Sequence, residues 1–122
     1  MNVQAEEVRD GIWRVYSPSQ DEWRQREGLA EALSEAAGDA PVRGVIVDLA
    51  NIKYLSSAGL AAIFALRKSV ADGRGEVVLA RPTPSILRLL RTANLGSLVP
   101  LATTLEEAEQ QVESAAAEKH QQ

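Results

Sequence analysis

The run Val45-Ile-Val-Asp-Leu constrains the fold of this chain more than any other stretch. Three consecutive β-branched residues and a leucine leave no polar face to give to water. A strand of this kind has to be covered on both sides, which is the situation of a parallel strand between helical layers. Val77-Val-Leu-Ala repeats the pattern, and Ile12-Trp-Arg-Val-Tyr alternates as a half-exposed strand does. Ahead of it, Val3-Gln-Ala-Glu-Glu-Val reads as an edge strand. Arg9-Asp-Gly then closes a hairpin, since Asp-Gly supplies the positive φ that such a turn needs.

Helical segments separate these runs. Ser19-Gln-Asp-Glu-Trp opens with residues that cap helices well, and Trp23, Ala30, Leu33 and Ala37 recur at helical spacing until Gly38-Asp-Ala-Pro ends the pattern. From about Ser57 to Val70 the chain is rich in Ala and Leu, with Leu60, Ile63, Phe64, Leu66 and Val70 expected on the buried face. Pro84 suits a first helical position, and Asn94 tolerates the left-handed conformation that ends a helix. A short strand is expected at Leu98-Val-Pro-Leu, then a last helix capped by Thr103 or Thr104, with early acids favoured by the helix dipole. The order β-β-α-β-α-β-α-β-α predicts an α/β fold with one mixed, mostly parallel sheet. The expected organisation is one domain over residues 1–117 and a loose tail over 118–122.

Composition narrows the function. The chain has 122 residues, 45% hydrophobic and 25% charged, the balance of one ordinary globular domain. It has no cysteine, which removes thiolate nucleophiles, disulfides and Cys-based metal sites. Its one histidine, His120, lies in the expected tail, so an imidazole base has no fixed place. Neither a membrane span nor a signal peptide is read, and the protein is expected to be cytoplasmic. Net charge is −4, the surplus acids lie after Leu105, and no basic stripe with interleaved aromatics marks a nucleic-acid binder.

The densest signal runs from the buried strand into the second helix: Asp48-Leu-Ala-Asn-Ile-Lys-Tyr-Leu-Ser-Ser-Ala-Gly-Leu. Ser56 and Ser57 fall where the helix begins, and either can serve the unpaired amides of its first turn. Gly59 permits close backbone approach. One reading is an N-cap serine and a packing glycine. The other is an exposed hydroxyl at a helix N-terminus, where the dipole tolerates an added phosphate.

This motif resembles that of STAS domains, specifically the single-domain anti-sigma factor antagonists of bacterial partner-switching systems. The resemblance continues through the Gly73/Gly75 turn, Ile86-Leu-Arg-Leu-Leu-Arg-Thr-Ala-Asn-Leu and Thr104-Leu-Glu-Glu-Ala, covering about Ile12 to Val112. It implies a STAS fold and a non-enzymatic switch without a cofactor or bound metal. Ser57 is the implied phosphorylation site, and Asp21, Ser56, Ala58, Gly59 and Leu60 frame the partner-binding surface. The implied partners are an anti-sigma factor that is also a serine kinase, and a PP2C-type phosphatase that resets the cycle. Four departures are visible: Ser56 stands where many members have an acid, Ala58 where many have a hydroxyl, Pro18-Ser-Gln-Asp21 in place of Gly-x-x-Asp, and Asn94 where a glycine is often seen. The alternative within the fold is an accessory subunit of a lipid-transporting ABC assembly, or a scaffold subunit of a stress complex, with the serine as a helix cap.

Other constellations are weaker. Ser57-Ala-Gly is half of a nucleophile elbow, but Leu55 replaces the first glycine and no histidine is available for a triad. Gly73-Arg-Gly75 follows a helix and precedes a strand, the reverse of the phosphate-loop order, and reads as a turn. Asp48, at a strand end, reads as structural rather than as a metal ligand or base.

Overall fold

The computed structural model describes residues 4–17, 21–23, 28–72, 75–94 and 99–120, of which 21–23, 28 and 116–120 are described by their backbone alone. Strands β1 (Gln4–Arg9) and β2 (Ile12–Tyr16) form the expected hairpin, with Gly11 at φ +75° in its turn. Strand β3 (Asp21–Trp23) and helix α1 (Gly28–Ala37) follow, then β4 (Gly44–Asp48), β5 (Ile52–Leu55) and α2 (Ser57–Asp72). The described chain closes with β6 (Glu76–Ala80), α3 (Pro84–Thr92), β7 (Leu101–Ala102) and α4 (Leu105–His120). The main sheet has the order β1-β2-β4-β6-β7, parallel except for β1 at the edge. This is the mixed, mostly parallel α/β sheet read from the sequence.

The continuous apolar runs are explained by what covers them. In β4, Val45 and Val47 pack into the core beneath α1, α2 and α3, while Ile46 faces the other way into a smaller cluster with Ala108 and Val112 of α4. Val77 and Leu79 of β6 share the first side, Val78 and Ala80 the second. Three helices therefore cover one face and α4 covers the other. Gly44 is needed for that second layer, because a Cβ there would stand 2.1 Å from Cγ1 of Val112. Helix caps match expectation at two ends. Thr83 Oγ1 accepts the Ile86 amide with Pro84 just inside α3, and Thr104 Oγ1 accepts the Glu107 amide. Asn94, at φ +59°, ends α3 in the left-handed conformation.

Three expectations change. The first helix does not begin near Ser19: Asp21–Trp23 is a strand, α1 starts at Gly28, and Trp23 is not on it. Local capping chemistry lost there to a tertiary partner, because β3 pairs in parallel with β5 in a separate two-stranded sheet. The last strand comes later than expected, at Leu101–Ala102, and Leu98 lies outside the described residues. Phe64 is not on the buried face of α2, which is formed by Gly59, Ala62, Ile63, Leu66 and Val70; Phe64 is 37% exposed.

Candidate functional site

The site is built where β5 turns into α2. Ser56 is the cap: its Oγ accepts the Gly59 amide at 3.2 Å, and its carbonyl accepts the Leu60 amide at 2.9 Å. Ser57 is thereby the first helical residue and is exposed. Ala58 is half-buried, Gly59 is buried, and Leu60 packs part of its side chain against the main core. The two serines divide the roles that the sequence left open. Ser56 spends its hydroxyl on the helix end, and Ser57 presents its own outward. No acid lies in the first turn of α2, whereas α1 and α4 each carry one or more there. The first turn of this 16-residue helix thus carries an exposed hydroxyl and no acid of its own, at the positive end of the dipole.

Asp21 comes to this region through its backbone. Strand β3 runs parallel to β5, with Asp21 opposite Ile52 and Trp23 opposite Leu55, the residue before Ser56. The approach to β5 is anchored by neighbouring loops: Asn51 Nδ2 donates to the Ser17 carbonyl at 3.0 Å, and the Leu49 amide donates to the Ala80 carbonyl at 2.8 Å.

Asp48, which starts that approach, is 2% exposed and fully engaged. Its Oδ1 accepts from the Ala50 amide at 3.1 Å and from Arg81 Nε at 3.1 Å. Its Oδ2 accepts from Arg14 Nε at 2.9 Å and from Arg81 Nη2 at 2.5 Å. Burial alone would push this carboxyl up, but the hydrogen bonds from Arg81, the Ala50 amide and Arg14 outweigh it and hold the pKa below the ordinary carboxylate value. Arg81 is held at φ +54° to make the contact. Asp48 therefore shapes the turn into β5, in keeping with a structural role. Arg14 in turn pairs with Glu6 at 2.8 Å and lies 4.0 Å over the Tyr16 ring. No signal in the sequence joins Arg14, Asp48 and Arg81, which lie 33 or 34 residues apart.

The arrangement is a surface rather than a pocket. A cavity of about 340 Å³ opens between the C-terminal ends of α1 and α2, lined by Leu33, Ala37, Val42 and Val70 among others. It lies at the end of α2 opposite Ser57. Among the described residues no cluster of three His, Cys, Asp or Glu could hold a metal ion, and no helix is long and apolar enough to cross a membrane. The chemistry that the site offers is that of an accessible alcohol on a rigid helix start.

Comparison with known proteins agrees with this geometry. BtrV of Bordetella bronchiseptica, assigned as an anti-sigma factor antagonist, is 32% identical over 78 residues, which is 64% of this chain and 67% of that protein. A crystal structure from Thermotoga maritima with the same assignment superposes with a TM-score of 0.76 at 18% identity, covering 91% of this chain and 94% of the other. The anti-sigma factor antagonist SpoIIAA in its unphosphorylated form gives 0.74 at 19% identity over 92% of this chain and 96% of its own. The phosphorylated form of the Bacillus protein gives 0.62 at 18% identity, over 90% and 98%. The STAS domain family model matches residues 5–108, which takes in the hairpin, the Ser56–Leu60 corner and the first turn of α4. With that match spanning most of the sequence and taking in both the sheet and the serine corner, the chain belongs to the STAS domain family.

Proposed function

We propose that this protein is an anti-sigma factor antagonist switched by phosphorylation of Ser57. The observation that carries the proposal is the division of labour between the two serines. Ser56 caps α2, so the Ser57 hydroxyl is left exposed at a helix N-terminus that holds no acid of its own. Unphosphorylated, the protein binds an anti-sigma factor of the serine-kinase type in the cytoplasm and so frees the sigma factor. The kinase then transfers the γ-phosphoryl group of ATP. The Ser57 Oγ–P bond forms, the bond from phosphorus to the β,γ-bridging oxygen breaks, ADP leaves, and the hydroxyl proton passes to a base on the kinase. A PP2C-type phosphatase hydrolyses the ester and restores the alcohol.

The protein is in this reading the substrate of two enzymes and not an enzyme itself. The new phosphate carries close to two negative charges. A hundredfold loss of affinity needs about 2.7 kcal/mol, which desolvation and repulsion of one interfacial phosphate can supply. Asp21, Ala58, Gly59 and Leu60 frame the docking surface in this proposal.

The test is phosphosite mapping by mass spectrometry on protein purified from its own cells, growing and stressed. Occupancy at Ser57 that changes with condition is the expected result. Complete absence of phosphate under every condition, with phosphatases inhibited, would overturn the proposal and favour a transport-accessory or scaffold role.

A further inference from the structure

The exposed face of α2 continues the Ser57 surface. Residues seven apart on a helix lie about 20° from eclipsed, so Ser57 and Phe64 share a face roughly 10 Å apart, with Leu60 beside them and Lys68 one turn beyond. Ser57, Phe64 and Lys68 are exposed and Leu60 is half-buried. Among the described residues the large exposed hydrophobics are Val8, Phe64 and Tyr54. Val8 is on the edge strand β1, whereas Tyr54, 55% exposed, is on the strand that leads into α2.

Charge is segregated in the same direction. Residues 52–94 hold seven bases and two acids, while the rest of the chain holds six bases and fifteen acids. On the α4 side the arginines are neutralised: Arg9 and Arg43 reach Glu113, and Arg14 and Arg81 reach Asp48. Lys53, Arg67 and Lys68, and Arg88 and Arg91 on α3, have no carboxylate partner among the described residues. Arg67 and Lys68 do not lie in the last turn of α2, so they do not serve its dipole. Solubility is served by interspersed signs, whereas separated signs give a protein a preferred direction of approach.

We infer that this face is the docking surface for a partner protein with an apolar pocket that receives Phe64 and acidic residues that meet Arg67 and Lys68. The inference rests on the proposed Ser57 switch and adds its recognition chemistry. A nucleic acid fits less well, because the acidic remainder of the chain repels it and the Phe64 stripe carries only two bases, Arg67 and Lys68. A phosphate on Ser57 would face the same acidic rim, so the stripe that attracts the partner also makes the modification repulsive.

The test places a photo-cross-linking phenylalanine analogue at position 64 of the full chain in its own cells, with position 8 as control. The captured protein is then purified and titrated with the wild type, Phe64→Ser, the pair Arg67→Glu and Lys68→Glu, and Ser57→Asp, each checked for native circular dichroism. Support consists of a cross-link from position 64 to an apolar segment flanked by Asp or Glu, with affinity at least about tenfold weaker in Phe64→Ser. The charge-reversed pair should weaken binding by a similar factor and flatten its salt dependence. A cross-link to a second copy of this chain or to nucleic acid would overturn the inference, as would equal capture from position 8. So would unchanged affinity in both stripe variants. If those are neutral while Ser57→Asp releases the partner, the docking inference falls and the switch stands. If Ser57→Asp is neutral and the stripe variants weaken binding, the switch falls and the docking surface stands.

Discussion

The Oγ of Ser56 accepts the amide of Gly59 at 3.2 Å, and this one bond separates two adjacent serines into a helix cap and an exposed first helical residue. Ser56→Ala should cost about 1 kcal/mol of stability, the usual loss for an N-cap hydroxyl, and lower the midpoint of thermal unfolding by about 4 °C. Ser57→Ala, at an exposed site, should change stability by less than about 0.5 kcal/mol. Phosphate incorporation should survive the first substitution and vanish in the second.

Phosphorylation of Ser57 should not melt α2. A dianion in the first helical turn lies at the positive end of the dipole, and that turn contains no acid to repel it. Thermal unfolding of the phosphorylated protein should match or exceed that of the unmodified form. A clear drop would mean that the phosphate acts by unfolding the helix rather than by repelling a partner.

Removing the charge of Asp48 should be among the most damaging single changes. Asp48→Asn leaves Arg14 and Arg81 facing an uncharged amide in a buried position, at a cost of about 2–4 kcal/mol; the arginines reach solvent, so the cost falls short of a fully buried pair. The pH dependence has a fixed sign. Because the folded pKa of Asp48 is held below its ordinary value, the unfolded chain takes up the proton first as the pH falls. The stability margin of wild type over Asp48→Asn should therefore be constant above about pH 5 and shrink as the pH falls through and below about 4. Denaturant titrations of both proteins from pH 7 to pH 2.5 measure it.

Gly44 and Val112 should behave as a coupled pair. Gly44→Ala puts a methyl group 2.1 Å from Val112 Cγ1 and should destabilise by about 1–3 kcal/mol. Val112→Ala alone opens a void. The double variant should recover part of the loss, giving a coupling energy of at least about 0.5 kcal/mol in a double-mutant cycle. Strict additivity would show that α4 shifts away from β4 instead of being held against it.

The elements that the sequence made legible are those whose pattern reflects burial. Val45–Val47 and Val77–Leu79 declare two covered faces, and Asp10-Gly11 and Pro84 declare a turn and a helix start, because each signal is local. Strands β3 and β5 were hidden for the opposite reason. Three or four residues without an alternating pattern become strands only by pairing with each other, about thirty positions apart. Phe64 was misplaced because the Ala-rich α2 offers several apolar stripes, and packing chose the one through Ala62, Ile63 and Leu66. The Ser57 motif was visible, but which serine caps the helix depends on backbone geometry. The basic stretch at 52–94 was also present in the sequence, but a balance that only places the surplus acids after Leu105 averages it away.

The contact of Val112 with Gly44 also fixes a polarity along the molecule. Gly44 opens β4 and Asp48 closes it, so the later turns of α4 lie at the strand end where β4 begins, while the Ser56–Ser57 corner lies beyond the end where it finishes. A fluorophore or fused reporter placed on the outer side of those turns, at Ser114 for instance, is thus separated from Ser57 by the length of the sheet. The protein can be wired into a sensor from that pole without touching the corner that carries Ser57.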